Sequence, residues 1–580
     1  MTENKDSLLY NLDLPHSLNS LSRQELDQIC DEIRTVLLSV GEKCGGHLAS
    51  NLGVVELTVA LHSVFNSPVD KFFWDTSHQC YVHKMLTGRL SEIFSIRQKD
   101  GLSGFAKRGE SEHDSFGAGH ASTALSAALG QAHARNINDE DYSVISVFGD
   151  SALSGGMAFE ALNNAAKLNS NFIGILNDNN MSISRPVGAM AEYITQLRTS
   201  GAYDIAKEKF ERIFENIPMI GVPLKRRIEK TVERLRDIVL NVKEGVLFEE
   251  FGFKYLGPLD GHNLPLVMGA LRYAKTYPGP ILIHIITQKG RGHLPAENDP
   301  IKFHGVSPTP NEPPKVVPIK KASFTEFFGN KIVEIAKKDQ SVVVVTPAMM
   351  EGSGLKTYAA TFPDRFFDVG IAEEHAVTFC AGLACGGIKP ILAIYSTFLQ
   401  RGYDQVIHDV CLQKLPVVFA IDRAGVVGED GPTHHGVFDL TYLIPIPHLV
   451  ICAPKDGKEL EDMLEWAVNE EKAVAIRYPR GSEPSYSLPE TIDGPFEMKP
   501  QVLIPSLNKD KKLDVLLIGV GGMASLACEA AEQLKQDNIV VSAINLRLIK
   551  PIDTDFLVPF IEKSANVIVI EDGMSVGGVS

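Results

Sequence analysis

A chain of 580 residues has room for two to four domains, so core area does not limit its stability. A formal net charge of −16 argues against nucleic acid or an anionic membrane as principal partner, and 44% hydrophobic with 22% charged residues is ordinary for a soluble globular protein. The eight cysteines form no C-x-x-C pair, so they read as free thiols of a reducing compartment and not as a disulfide frame or zinc site.

The opening MTENKDSLLYNLDLP has neither a secretory nor an Arg-rich transit pattern, and no apolar run approaches a membrane span, so a cytoplasmic protein is expected. Residues 23–39 show helical spacing of Leu26, Ile29, Ile33, Val36 and Leu37. His47 then sits in the glycine-flanked loop GGHLASNLG, and His78 closes Trp74-Asp75-Thr76-Ser77-His78. Gly117-Ala118-Gly119-His120-Ala121-Ser122 opens a helix of small residues, which let backbone approach a ligand or a neighbouring helix closely. One loop histidine is usually structural; three before the next unit are more suggestive.

Residues 143–184 read as strand, acidic turn, helix, strand and polar turn. The run 143–148 suits a strand buried on both faces, 155–169 has helical spacing, and 172–176 is a second strand ending in Asn177-Asp178-Asn179-Asn180. Consecutive parallel strands place both turns at the carboxyl edge of one sheet, where ligands of α/β proteins bind. Asp150 offers a carboxylate, Asn179 an amide oxygen and Met181 a backbone carbonyl. Such oxygens suit Mg²⁺, which usually shares its shell with phosphates and water. The alternative stays open: Asp150 caps the helix and the Asn-rich run is only a turn.

Residues 204–245 are charged and helical without nameable chemistry. A strand at 281–286 runs into Thr287-Gln288-Lys289-Gly290-Arg291-Gly292, and Lys302-Phe303-His304 follows. The proline-dense stretch 306–321 reads as an inter-domain linker, dividing a first domain (1–305) from a second (322–490) and a third (491–580). The second domain carries apolar strands at 342–345, 366–369, 391–395, 417–421 and 474–477; the third has them at 515–518, 540–544 and 567–570. Gly519-Val520-Gly521-Gly522-Met523-Ala524 fits a dinucleotide fingerprint, but the next strand runs into Asn545-Leu546-Arg547 without the ribose-binding carboxylate. A helix-packing turn is the better reading.

Two α/β units in series, one with a diphosphate–Mg²⁺ site and one with a glutamate at a helix start, suggest thiamine diphosphate. Its aminopyrimidine needs a carboxyl group at one ring nitrogen, and Glu373 or Glu374 fits that need. Both also fit as acidic residues favoured by the helix dipole. Tyr395 and Phe398 are candidates to stack on the pyrimidine, or core aromatics.

The motifs GGHLASNLG, WDTSHQCYVHK, GESEHD, LNDNNMSIS, KGRGH, FDVGIAEEHAVTF, IDRAGVVGEDGPTHHG and RYPRG closely resemble the 1-deoxy-D-xylulose-5-phosphate synthase family of transketolase-like thiamine diphosphate enzymes. The resemblance implies three consecutive doubly wound α/β domains with mainly parallel sheets: a thiamine diphosphate and Mg²⁺ domain, a pyrimidine-binding domain and a C-terminal domain. It implies decarboxylative condensation of pyruvate with D-glyceraldehyde 3-phosphate to 1-deoxy-D-xylulose 5-phosphate, feeding non-mevalonate isoprenoid, thiamine and pyridoxal phosphate synthesis, by a cytoplasmic homodimer. Asp150, Asn179 and Met181 would bind the metal. Cofactor positions would be His78, Gly119, His120, Ala121, Gly149, Ser151, Ala152, Ile183, Lys289, Ile371 and Phe398 beside them, with Glu373 at the pyrimidine nitrogen. Tyr395, Arg423 and Arg480 would hold the substrate phosphate, and His47, His304, Asp430 and His434 would line the reacting centre.

Three departures stand out. Ser151 occupies a family glycine position, Asn180 a common Glu and Pro432 a common Gln. The sequence also stops within the third domain, so that domain reads as shortened, either because the sequence is part of a longer one or because the domain is short. Rival readings are transketolase-type two-carbon transfer, a non-catalytic cofactor-binding relative, and an NAD(P)-linked oxidoreductase using 519–524.

Overall fold

Strands that are apolar at every position need cover on both faces, because successive side chains point to opposite sides. The computed structural model describes residues 7–179, 187–199, 245–309, 321–484, 486, 488, 496–506 and 512–580. They fall into two units, Met1–Lys315 and Val316–Ser580.

The first unit holds five parallel strands: β1 (Lys71–Trp74), β2 (Val144–Gly149), β3 (Phe172–Asp178), β4 (Lys254–Asp260) and β5 (Pro280–Ile286), in the order β1-β2-β3-β5-β4. Ile145, Val147, Ile173, Ile175, Ile281 and Ile283 feed one core cluster; Val144, Phe148, Phe172, Leu176 and Leu282 feed another. Two cores on alternate residues of the same strands mean helices on both faces. The Arg23–Cys44 helix joins the first core through its Leu26, Ile29, Ile33 and Leu37 stripe. Ser22 and Glu25 form a capping box at its start, and Gly45 at φ 72 stops it. Val306 pairs with Gly46 and the Thr309 N–H donates to the Glu42 carbonyl, so the first residues of the proline-rich stretch are held in this unit. Residues 310–320 of that stretch lie outside the described residues, as does most of the charged 204–245 segment.

The second unit carries β6 (Val342–Thr346), β7 (Phe366–Asp368), β8 (Lys389–Tyr395), β9 (Val418–Ala424), β10 (Leu449–Cys452), β11 (Ala473–Pro479), β12 (Gln501–Ile504), β13 (Leu513–Val520), β14 (Val541–Leu546), β15 (Leu548–Lys550) and β16 (Ser564–Ile570). One sheet runs β15-β10-β11-β9-β8-β6-β7, parallel except for β15; the other runs β12-β14-β13-β16, parallel except for β12. Again alternate residues serve two cores: Val343, Val345, Leu392 and Ile394 one, Val342, Val344, Ile391 and Ala393 the other. Because β6 connects to β7 on one side and β8 to β9 on the other, the order reverses between β6 and β8, the switch point at whose carboxyl ends ligands of such sheets bind.

The 519–524 turn packs as a strand-to-helix corner. A Cβ at Gly519 would meet Ala524 Cα at 2.5 Å, and the Asn545 amide at the end of β14 donates to Glu459. Among the described residues no helix is long and apolar enough to cross a membrane.

Candidate active site

In the first unit, Gly149 ends β2 and Asp150 begins a single 3-10 turn, Asp150–Ser154. The following helix starts only at Gly156, with Gly155 at its N-cap, so the capping role open to Asp150 is not realised. Asp150 is buried, and burial followed by the nearby Asp178 charge pushes its carboxyl up to about 7, with Lys289 opposing. Burial in turn pushes the Lys289 ammonium down to about 8. Buried carboxyl oxygens crowded at the ends of β2 and β3 are the environment a divalent cation relieves. Ser151 has no positive φ, so serine causes no backbone strain there. Its hydroxyl is buried without a hydrogen bond, which fits a turn that receives an anionic oxygen. Asn179 follows β3 directly; Met181 and Ile183 lie outside the described residues.

The strand end carrying Asn179 is braced from below. Asp178 Oδ2 lies 3.1 Å from His284 Nε2, and His284 Nδ1 lies 2.7 Å from the Tyr255 hydroxyl. Thr287 donates its hydroxyl to Asn177 and its N–H to the Asp178 carbonyl. Gly119, His120 and Ala121 are fixed by Asp75, whose carboxylate accepts from the Ser122 and Ala124 N–H groups. The Ser122 hydroxyl donates to the Ala152 carbonyl, tying this loop to the Asp150 turn.

Three imidazoles converge beside this edge. The rings of His47, His78 and His304 lie 5.4–5.5 Å apart pairwise. The third member is therefore His304, whereas His120 belongs to the Asp75-anchored loop. Backbone ladders make the convergence: the Ala49 N–H donates to Phe303, the Gly290 N–H to Ala49, and Gly46 exchanges two bonds with Val306. Asn51 donates to the His47 and His78 carbonyls and accepts from the Tyr81 N–H, holding both histidine loops at once. Gly46, at φ 112, has no room for a side chain because a Cβ would lie 2.5 Å from the Tyr81 hydroxyl. Burial, then the positive Lys289 and the two other histidines, drive His304 well below the usual imidazole range, so it is neutral at pH 7.

In the second unit, the Asp368 carboxylate accepts from the Ala348 and Gly370 N–H groups, linking the ends of β6 and β7. After Gly370 (φ 74) and half-buried Ile371, the Glu373–Cys385 helix begins. Glu373 is 1% exposed whereas Glu374 is only half-buried. Glu373 Oε2 makes no hydrogen bond; the Arg401 guanidinium lies 3.5 Å away, and burial raises the carboxyl against that cation. A buried carboxyl held toward its protonated form suits a ring nitrogen as partner.

At the end of β8, Tyr395 and Phe398 stack with ring centroids 5.9 Å apart, and His434 meets Phe398 edge-on at 5.6 Å. The Arg423 guanidinium lies 3.8 Å over the Tyr395 ring. Burial raises the Tyr395 hydroxyl, while the charges of Arg423 and Arg480 oppose it, so both cations face one phenol. A Cβ at Gly352 would collide with the Tyr395 hydroxyl, so the loop after β6 approaches this group as bare backbone. Asp430 and His434 lie on the segment 425–436, which closes on itself through reciprocal Gly425–Gly436 bonds of 2.9 and 2.7 Å.

The bracing residues Asp75, Asn51, Asp178 and Asp368 were not singled out by the sequence. All four stand inside quoted motifs, but nothing in the sequence separates a residue that touches a ligand from one that holds its loop.

Comparison with known proteins follows this geometry. The family profile described as 1-deoxy-D-xylulose-5-phosphate synthase matches residues 9–287. Those described as transketolase pyrimidine binding domain and transketolase C-terminal domain match 320–484 and 507–580. A 1-deoxy-D-xylulose-5-phosphate synthase of Desulforudis audaxviator is 49% identical over 569 residues, covering 97% of this chain and 87% of that relative. One from Caldanaerobacter subterraneus subsp. tengcongensis is 49% identical over 572 residues, covering 99% and 90%.

Proposed function

The chain belongs to the 1-deoxy-D-xylulose-5-phosphate synthase family, and from that membership we infer how its residues serve the family reaction. The protein is a transferase that condenses pyruvate with D-glyceraldehyde 3-phosphate, releasing CO₂ and giving 1-deoxy-D-xylulose 5-phosphate, with thiamine diphosphate as cofactor. Bound, that cofactor supplies a carbon nucleophile and an electron sink. We place the cofactor-diphosphate and metal role in residues 1–305, the pyrimidine role in 322–490, and a C-terminal domain in 491–580, with 306–321 as linker.

Asp150 and Asn179, with the Met181 carbonyl, hold Mg²⁺ in this reading; the crowded carboxyls of Asp150 and Asp178 support a cation there. Gly149, Ser151, Ala152, Gly119, His120, Ala121, His78, Lys289 and Ile183 line the diphosphate and thiazolium side. Glu373 bonds the pyrimidine nitrogen, with Phe398 and Ile371 against the ring. Neutral His304, with Ser50 Oγ 3.4 Å from its Nδ1, lines the reacting centre as a hydrogen-bonding partner of the substrates. His47 shares its ring cluster and orients the pyruvate carboxylate. Tyr395, Arg423 and Arg480 hold the acceptor phosphate, for which a guanidinium fork has matching geometry. Asp430 and His434 address the acceptor hydroxyl and aldehyde. We further propose a cytoplasmic homodimer whose product feeds isoprenoid, thiamine and pyridoxal phosphate synthesis; the eight unbridged cysteines support a reducing compartment.

The observation that carries the catalytic assignment is Glu373, a buried carboxyl at a helix start whose Oε2 makes no hydrogen bond. The test is CO₂ release from pyruvate that depends on glyceraldehyde 3-phosphate, with thiamine diphosphate and Mg²⁺ present. Glu373→Ala is expected to keep its circular dichroism and lose about 100-fold or more in turnover. Wild-type turnover in that variant would refute the role, and turnover unchanged after removal of divalent metal by chelation and dialysis would refute the Mg²⁺ site.

A further inference from the structure

The segment 425–436 contains a carboxylate that serves no role derived above. Glu429 Oε2 lies 3.1 Å from Arg480 Nη1, and the same guanidinium nitrogen donates to the Val427 carbonyl at 3.0 Å. Arg480 is thus held by two residues, Val427 and Glu429, of the segment that also presents Asp430 and His434. Arg477, on β11 itself, is instead buried and paired with Asp439 at 2.9 Å and Asp572 at 2.7 Å. Arg480 differs in being 42% exposed at its side chain, with Glu429 57% exposed.

The segment has a bonded base and an open tip, while its Thr433 carbonyl accepts from the Thr397 hydroxyl and His434 rests against Phe398. Its base is the reciprocal Gly425–Gly436 pair, supported by the Ser396 hydroxyl on the Gly436 carbonyl. Glu429 stands between Gly428 (φ 89) and Gly431 (φ 71), where a Cβ would meet nothing within 4 Å, so the tip is not packed at those two positions. Val426 at 71% exposure repeats the point. An exposed ion pair is weak, whereas a phosphate offers an arginine fork two charged oxygens at once. Such a pair yields to a phosphate and re-forms when it leaves.

We propose that Glu429 is a positioning residue: its carboxylate occupies Arg480 in the absence of acceptor, and the acceptor's phosphate displaces it, freeing the tip between Gly428 and Gly431 that carries Asp430. This rests on the phosphate role of Arg480 inferred above. Loop position is thereby coupled to the arrival of a phosphorylated acceptor, and part of the phosphate's affinity is spent on breaking the pair.

The test uses the full-length holoenzyme, Glu429→Gln and Arg480→Ala, with two readouts. Hydrogen exchange of peptides within 425–436 is expected to rise on adding inorganic phosphate to wild type, and to be raised without phosphate in both variants. The KM for D-glyceraldehyde 3-phosphate is expected to fall roughly two- to fivefold in Glu429→Gln, the range of an exposed ion pair, with kcat changed less than KM. It is expected to rise in Arg480→Ala, so one loop effect accompanies opposite KM effects. Unphosphorylated D-glyceraldehyde should show no such KM change in Glu429→Gln. Unchanged exchange and KM in Glu429→Gln, with a raised KM in Arg480→Ala, would overturn the latch and leave the phosphate site standing. An unchanged KM in Arg480→Ala would overturn the phosphate role itself.

Discussion

At the residue scale, Asp422 shows how a buried carboxyl is held beside Arg423 and Arg480 against its own cost. Its side chain is 1% exposed at the end of β9, accepting from the Thr325 hydroxyl at 3.0 Å and from the Arg423 N–H at 2.6 Å. Burial pushes the carboxyl up to about 6 in spite of the Arg423 and Arg480 charges. An unfolded aspartate titrates near 3.9, so between about pH 4 and pH 6 the folded state binds more protons than the unfolded one. Stability contributed by this residue therefore falls as pH rises through that window, by about 2–3 kcal/mol in all. Asp422→Asn keeps the shape and cannot ionise, and Thr325 can accept as readily as donate. The gap in thermal midpoint between Asp422→Asn and wild type is expected to be small at pH 4 and to widen in the variant's favour by pH 7. A gap that is the same at both pH values would show that Asp422 is not titrating in this range.

At the element scale, residues 97–117 form a long loop with little regular structure, yet a buried charge network anchors it to the helical stretch of residues 81–89 before it. Asp114 receives Arg89 through both guanidinium nitrogens at 2.8 and 2.9 Å, His83 Nε2 at 3.2 Å and the Lys107 N–H at 2.8 Å. Lys84 and Arg89 pair with Glu110, and Glu110 accepts from the Ser103 N–H. Burial alone would raise the Asp114 carboxyl; the hydrogen bonds from His83 and Arg89 hold it far below the usual range. Removing one partner of such a network strands a charge. Asp114→Ala is expected to cost about 3–5 kcal/mol and to open 97–117 to limited proteolysis, releasing the loops that carry His78 and His120. Wild-type protease resistance would mean that other contacts hold the loop.

The same elements show what a sequence discloses. β2, β3, β5, β6 and β8 are legible because a strand buried on both faces must be apolar at every step. Asp150 and Asn179 stand out because they are the polar residues that end two such runs. Strand limits were less legible: β3 continues to Asp178 because Asn177 and Asp178 find buried partners in Thr287 and His284. Apart from Arg89, the side chains of the Asp114 network stand in WDTSHQCYVHK and GESEHD, yet pairing across 31 residues is a tertiary fact. His304 likewise joins His47 and His78 only through the backbone ladder that runs from Gly46 to Val306.

At the scale of the second unit, β15 binds two sheets into one cooperative body. Three residues, Leu548–Lys550, leave the four-stranded sheet and pair antiparallel with β10 at the edge of the seven-stranded one. They were invisible as a strand because three residues set no period. Ile549 enters the core cluster that contains Leu449 and Ile451 from one sheet and Leu516, Ile518 and Ile544 from the other. Polar ties run the same way. Arg547 pairs with Glu459 at 2.7 Å, and Arg477 on β11 with Asp572 just beyond β16 at 2.7 Å. Sheets that share a core are expected to unfold together. Ile549→Ala removes buried volume at the junction and should cost about 2–5 kcal/mol. Hydrogen-exchange protection is then expected to fall in parallel in peptides covering β10 and in those covering β13 and β14. Loss confined to β13 and β14, with β10 as protected as in wild type, would mean that the four-stranded sheet opens on its own and that β15 is a surface graft, not a joint.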